Sequence, residues 1–210
     1  MLNIAALISG GGRTVLNFAE NINNGALDAD IRIVIASRSG IKGIERAADI
    51  GLPVVVVPRR SFPDTQQFSN AVWREINNAG LTPENCVVAL AGFLSLLNIP
   101  DDFLGRVINI HPALLPRFGG RGMYGDRVHR AVIDTGETES GCTVHFADNE
   151  YDHGPIIAQR RCPVLPGDTP DDLAARVFDL ECELYPSVLQ AFAEDRIRLA
   201  DGKAVIQGTI

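Results

Sequence analysis

The sequence has no apolar stretch approaching the roughly 18 residues that a membrane-spanning helix needs. Its first apolar run, Leu2–Ile8, has no basic lead and breaks at Ser9 into three glycines. That run is therefore expected to be a buried first strand rather than a signal peptide, and no membrane partner is expected. An excess of positive charge is also missing, because 19 Lys and Arg stand against 26 Asp and Glu for a formal net charge of −7. Binding to nucleic acid through phosphate neutralisation is disfavoured on that balance, although one local basic pocket for a small phosphate remains allowed. The four cysteines, Cys86, Cys142, Cys162 and Cys182, show neither CxxC nor His/Cys ligand spacing. Buried free thiols in a reducing, cytoplasmic compartment are expected, with no metal site. Two nucleotide signatures are absent as well: Val15 stands where GxGxxG needs its last glycine, and no Gly-Lys-Ser/Thr occurs.

What is present is an ordinary globular composition, 46% hydrophobic and 21% charged over 210 residues, enough for one domain spanning 1–210 with a sizeable core. Short Val/Ile-rich runs at 2–8, 31–37, 53–57, 86–91 and 107–110 have the character of strands buried on both faces of a parallel sheet. Helical patterns fall between them at 13–24, 41–50 and 64–79, the last led by an Asp64 cap and carrying Trp73 as a core residue. The alternation predicts an α/β, doubly wound, mainly parallel sheet. Beyond a Gly- and Pro-rich loop at 112–125, a helix at 126–134 is expected, followed by a strand pair at 141–147 and 155–164. His129 is expected on the surface of that helix or anchoring the loop. Residues 168–193 then form a long helix capped at Asp168-Thr169-Pro170, with a kink or break at Pro186, and Asp201-Gly202 turns a terminal hairpin.

Two places carry chemistry. Ser9-Gly10-Gly11-Gly12-Arg13-Thr14 joins the first strand to the first helix, where free amides and the helix dipole suit a single phosphate. A tight turn and nothing more is the structural alternative. Asn109 and His111 are two apart at a strand end, so their side chains share a face at the carboxyl edge of the sheet. An amide beside an imidazole suits acyl transfer, because both can stabilise a developing oxyanion. Asp152, in the acidic turn 148–155, is a carboxylate that would favour the charged imidazole if it lay near His111.

Taken in order, the glycine loop, Ala91-Gly92-Phe93 with Leu94-Ser95-Leu96-Leu97, Asn109-Ile110-His111-Pro112-Ala113-Leu114-Leu115-Pro116, Thr143-Val144-His145-Phe146 and Asp152-His153-Gly154-Pro155 resemble the folate-dependent formyltransferases over essentially the whole chain. The resemblance implies that family's Rossmann-like fold with antiparallel C-terminal strands. It implies an N-terminal half that binds the phosphorylated substrate and a C-terminal half that binds folate and carries the catalytic groups. It further implies 10-formyltetrahydrofolate as the formyl-donating cosubstrate and glycinamide ribonucleotide as acceptor, attacking directly through a tetrahedral intermediate, in a monomer or homodimer. By the same resemblance Asn109, His111 and Asp152 are catalytic. Gly11, Gly12, Arg13 and Thr14 hold the substrate phosphate, and Glu181 contacts the substrate. Phe93, Leu94, Ser95, Leu96, Leu97, Asp148 and Tyr151 line the folate site. His145 stands behind the catalytic groups.

The chain departs from the best-known members at Arg13-Thr14, where they carry Ser-Asn, and at Thr65 and Ser95, where they carry Arg. Its loop 117–125 is also longer. Arg13, and Arg121 in the enlarged loop, are the expected replacements for the missing phosphate-binding charge. A tRNA-directed relative would need a further C-terminal domain and a basic surface, and a formyltetrahydrofolate hydrolase an N-terminal regulatory module. A sugar-amine acceptor stays open. An idle binding protein would be expected to have lost Asn109, His111 or Asp152.

Overall fold

The computed structural model describes residues 1–210. Its elements are β1 (Leu2–Ile8), α1 (Arg13–Asn23), β2 (Ala29–Ala36), α2 (Lys42–Asp49), β3 (Val54–Val56), α3 (Thr65–Asn78), β4 (Cys86–Leu90) and β5 (Val107–His111). They continue with α4 (Asp126–Asp134), β6 (Glu139–Phe146), β7 (Ile156–Pro163), α5 (Pro170–Ala193) and a terminal hairpin of β8 (Ile197–Ala200) and β9 (Lys203–Ile206). The first seven strands make one sheet in the order β3-β2-β1-β4-β5-β6-β7. Neighbours from β3 to β5 pair in parallel, and β6 and β7 are antiparallel additions.

Strand alternation explains the two layers of core. Ile4, Ala6 and Ile8 of β1 point into one cluster with Phe18 of α1 and Tyr185 of α5. Ala5 and Leu7 point into the other, with Phe68, Val72 and Ile76 of α3. With helices on both faces, no residue of the central strand can be polar without a buried partner, which is why β1 and β4 read as continuous apolar runs. Trp73 belongs to the second cluster; its ring lies 4.6 Å from Phe103 and its Nε1 donates to the Asn98 carbonyl at 2.7 Å.

The expected helix starts are present as built caps. Asp64 accepts from the Gln67 amide at 2.8 Å, and Thr169 with Asp172 forms a capping box at the start of α5. Pro186 does not break α5, which is continuous across it. The proline forgoes the bond to the Cys182 carbonyl, and the buried flank of Leu184, Tyr185, Val188 and Leu189 carries the helix past the defect. No helix of the structure is long and apolar enough to cross a membrane.

One side chain fixes the relation between α5 and the sheet edge that holds the site. The fully buried Tyr185 hydroxyl donates to the Ile108 carbonyl at 3.0 Å and lies 3.4 Å from that of Leu90, so it bridges β4 and β5. Phe18 meets its ring edge-on at 5.0 Å. Replacing Tyr185 with Phe keeps the packing and removes only the donor. Such a variant is expected to lose about 1–2 kcal/mol of stability, read as a melting temperature lower by about 2–6 °C in calorimetry. An unchanged melt would show that the hydroxyl contributes nothing.

Candidate active site

The order of strands reverses about β1, and at the carboxyl ends of β1, β4 and β5 the chain leaves a cavity of about 540 Å³. Its walls are residues 10–14, 91–94, 109–112, 120–127 and 151–152, with His129 from α4 and Ala174, Phe178 and Glu181 from α5.

The glycine loop is held by close backbone approach. Gly12 has φ 70, and a Cβ there would stand 2.8 Å from Gly43 Cα; one on Gly43 would stand 2.6 Å from the Gly10 oxygen. The Gly43 amide donates to that oxygen at 3.1 Å, and Arg46 donates to the Gly11 carbonyl at 2.8 Å. The first turn of α1 then begins at the cavity with no side-chain cap, the arrangement that leaves helix amides free for an anion. Arg13 lies over the Phe178 ring at 4.0 Å, a cation–π contact that holds its guanidinium at the wall of the same cavity. Ser9 is a positioning residue that the sequence reading passed over. Its Oγ pairs with Ser37 Oγ at 2.6 Å and accepts from the Leu94 amide at 2.9 Å, tying the end of β1 to segment 91–94. A small polar residue flanking a strand and a glycine run was the only signal for it.

Asn109 and His111 project on one side of β5, as their spacing requires, and Asp152 meets them from the β6–β7 turn. Asp152 Oδ1 lies 3.4 Å from His111 Nδ1 and accepts from Asn109 Nδ2 at 3.3 Å, while Oδ2 accepts from the Gly120 amide at 2.9 Å. Burial alone pushes this carboxyl up, but the bond and charge of His111 and the bond from the Gly120 amide outweigh it and hold the group well below the usual carboxylate range. His111 Nε2 donates to the Phe118 carbonyl at 2.8 Å. His145 donates through Nδ1 to the Phe146 carbonyl at 2.8 Å, which leaves its Nε2 to accept from Asn109 Nδ2 at 3.0 Å.

Residues 117–120 are wrapped onto this pair. A Cβ on Gly119 would meet Leu115 Cδ2 at 2.5 Å and Asp152 Cβ at 3.1 Å, so a side chain there would displace the Leu115 tip and press on Asp152. Phe118 and Asp152 take positive φ of 57° and 55°. For a bulky Phe that conformation costs on the order of 1–3 kcal/mol; it turns the Phe118 carbonyl onto His111 and the Gly120 amide onto Asp152.

Glu181 is the cavity's other acid. Burial raises its pKa to about 7, against the pull of His111 and Arg13. Of the expected substrate and folate residues, Gly11, Gly12, Arg13, Thr14, Phe93, Leu94, Arg121, Tyr151 and Glu181 line the cavity. Ser95, Leu96, Leu97 and Asp148 do not: Leu97 is 2 % exposed in the α3 core, and Asp148 is turned to His153 at 2.7 Å. His129 corrects the surface half of the sequence reading: it is buried, and it makes no hydrogen bond to the loop. It is 4 % exposed in the cavity wall, next to the inward stripe of Val128 and Val132. No group of three or more His, Cys, Asp or Glu side chains is gathered as metal ligands would be.

Comparison with known proteins places this geometry. A family model described as formyl transferase matches residues 2–189. The chain is 37% identical over 217 residues to the chloroplastic phosphoribosylglycinamide formyltransferase of Arabidopsis thaliana, covering 97% of this chain and 70% of that protein. Among solved structures, glycinamide ribonucleotide transformylase 1 from Symbiobacterium toebii superposes with a TM-score of 0.90 at 32% identity, over 99% of this chain and 95% of that one. The phosphoribosylglycinamide formyltransferase of Coxiella burnetii, solved in complex with CHES, gives 0.88 at 34% identity, over 99% and 94%.

The raised pKa of Glu181 makes a stability prediction. A carboxyl whose folded pKa lies above its unfolded value costs stability progressively as pH rises from about 4.5 to about 7, and the loss persists above that. Glu181→Gln is therefore expected to melt roughly 3–6 °C higher than the wild type at pH 8. The two should converge as pH falls toward the unfolded pKa. Equal melts at pH 8 would contradict the buried, unpaired carboxylate.

Proposed function

The chain belongs to the formyl transferase family and is an enzyme of that family, and on that premise we propose that it transfers the formyl group of 10-formyltetrahydrofolate to the amine of glycinamide ribonucleotide. The observation that carries this reading is that Asn109, His111 and Asp152 share one cavity with the open N-terminus of α1. A phosphate on the amides of Gly11 to Thr14, with Arg13 beside it, directs the amino end of the acceptor toward His111. Segment 91–94 offers an apolar wall of Ala91, Phe93 and Leu94. Gly92, at φ 75, turns the backbone there, which fits a flat heterocycle. The folate supplies the formyl carbon.

The amine nitrogen attacks that carbon, the carbonyl electron pair moves to oxygen, and the bond from carbon to the folate N10 breaks as N10 takes up the proton the amine loses. Asn109 Nδ2 and His111 supply the positive field that the oxygen meets as it gains charge. Asp152 stays ionised, orients the His111 ring and balances its charge when both ring nitrogens carry protons. His145 holds Asn109 so that the amide nitrogen, not the oxygen, faces inward.

The test is acceptor-dependent release of deformylated folate, followed by absorbance beside a reaction without acceptor. Turnover only with glycinamide ribonucleotide is expected. Turnover without acceptor would identify a hydrolase, and silence in both from protein that binds folate would identify a different amine. Asp152→Asn is expected to lower kcat by about 10²–10⁴-fold with unchanged circular dichroism; wild-type turnover would remove Asp152 from the mechanism. Arg13→Glu is expected to raise the acceptor KM by at least about 10-fold while the folate KM holds. An acceptor KM equal to wild type would show that the phosphate is bound without Arg13.

A further inference from the structure

His129 differs from the other three histidines in having no hydrogen bond to the protein. His111, His145 and His153 are each tied through a ring nitrogen to a carbonyl or a carboxylate, whereas Nδ1 of His129 is enclosed and has no partner. The side chain is 4 % exposed and forms part of the wall of the catalytic cavity. A buried polar nitrogen left unpaired costs about 1–3 kcal/mol, a cost that a Leu or Phe at this place on α4 would not carry.

Burial disfavours the charged ring, with His111 acting the same way and Asp126 of the first turn acting against them; the net direction is downward, so the imidazole is neutral at pH 7. A neutral imidazole has one N–H and one lone pair. An orphaned buried N–H is the rarer defect, so the enclosed Nδ1 is the lone-pair nitrogen and the proton sits on Nε2. That makes His129 a neutral donor in the cavity wall.

The glycine loop, His111 and Asn109 line one cavity with Phe178 and Glu181 of α5 and His129 of α4, two helices that pack against each other; Phe178 lies under Arg13, Glu181 feels the charges of both Arg13 and His111, and His129 feels that of His111. A ligand with its phosphate at the loop and its amine at His111 lays its sugar against the wall those two helices form. We propose that His129 is a binding residue for the sugar of the acceptor, its Nε2–H donating to a ribose hydroxyl oxygen while the Glu181 carboxylate accepts from a hydroxyl opposite. This rests on the acceptor assigned above. A hydroxyl suits both groups, since it can give and receive a hydrogen bond.

The experiment is steady-state kinetics of the full chain with both substrates for wild type, His129→Ala and His129→Gln. Wild-type turnover is read first, and its absence overturns the acceptor assignment itself. With turnover established, His129→Ala is expected to raise the KM for glycinamide ribonucleotide about 5–15-fold, with kcat and the folate KM within about two-fold of wild type. His129→Gln, whose amide can still donate, is expected to recover most of that affinity. An unchanged acceptor KM in His129→Ala overturns the proposal. So does a parallel loss of kcat and of affinity for both substrates together with a lowered melting temperature in both variants, which is the signature of packing alone.

Discussion

The Asp152 carboxylate accepts from the Gly120 amide and Asn109, and lies against both His111 and His145. These four partners come from three stretches of chain: Asn109 and His111 from β5, Gly120 from the loop after it, and His145 from β6. A carboxylate that is almost wholly enclosed can stay ionised only if such donors converge on it, so the local geometry of all three stretches is subordinate to this one charge. The tight space at Gly119, the positive φ of Phe118 and the positive φ of Asp152 itself are the backbone consequences. Because its folded pKa is depressed, the carboxylate adds stability above its unfolded pKa and loses that contribution only as pH falls through the folded value. The charge proposed to serve the chemistry therefore also holds the loop in place through the Gly120 amide.

The same cavity treats its second acid in the opposite way. Glu181 sits on α5, where burial is not answered by any hydrogen bond strong enough to reverse it, and its pKa moves up to about 7. Two acids whose environments push their pKa values apart, in one cleft, have different work to do. Asp152 is a fixed charge. Glu181 is held closer to its neutral form than a free carboxyl would be. Tyr185, one turn further along α5, bonds to the strand that carries Asn109, so the helix with the adjustable acid is registered against the strand with the fixed set.

Most of the fold was legible because buried strands and capped helices leave periodic signals. The β1 and β4 runs, the Asp64 and Thr169 caps and the terminal Asp-Gly turn all stand where pattern places them. The break expected at Pro186 failed because tertiary burial of its neighbours outweighs one lost backbone bond. At the site, Asn109, His111 and Asp152 were legible as a motif, and alternation along β5 explained why the first two face together. His129 was not. A histidine on a nine-residue amphipathic helix carries no mark of whether its stripe faces solvent or a cavity, and only the fold of loop 112–125 decides that. Leu97 and Asp148, expected along the folate, do not line this cavity; the segment from Phe93 runs along the wall for two residues and then turns into the α3 core.

The resting site has no idle donor among its catalytic groups. Asn109 Nδ2 gives one hydrogen to His145 at 3.0 Å and the other to Asp152 at 3.3 Å, and His111 gives its Nε2 hydrogen to Phe118 at 2.8 Å. In the reaction proposed above, stabilising an oxyanion requires an exchange of partners, and the longer of the two Asn109 bonds is the one proposed to yield. The Asn109 bond to Asp152 is the long one, and its loss is tolerable because the carboxylate keeps the Gly120 amide and its histidine neighbours. The bond to His145 is shorter, and breaking it would strand a buried ring nitrogen. One hydrogen of the Asn109 amide is thus anchored and the other is available, so the amide pivots little when the oxygen charges. On the proposed mechanism, a donor already aimed and released by a carboxylate with partners to spare needs little reorganisation, which is where preorganised sites gain their rate.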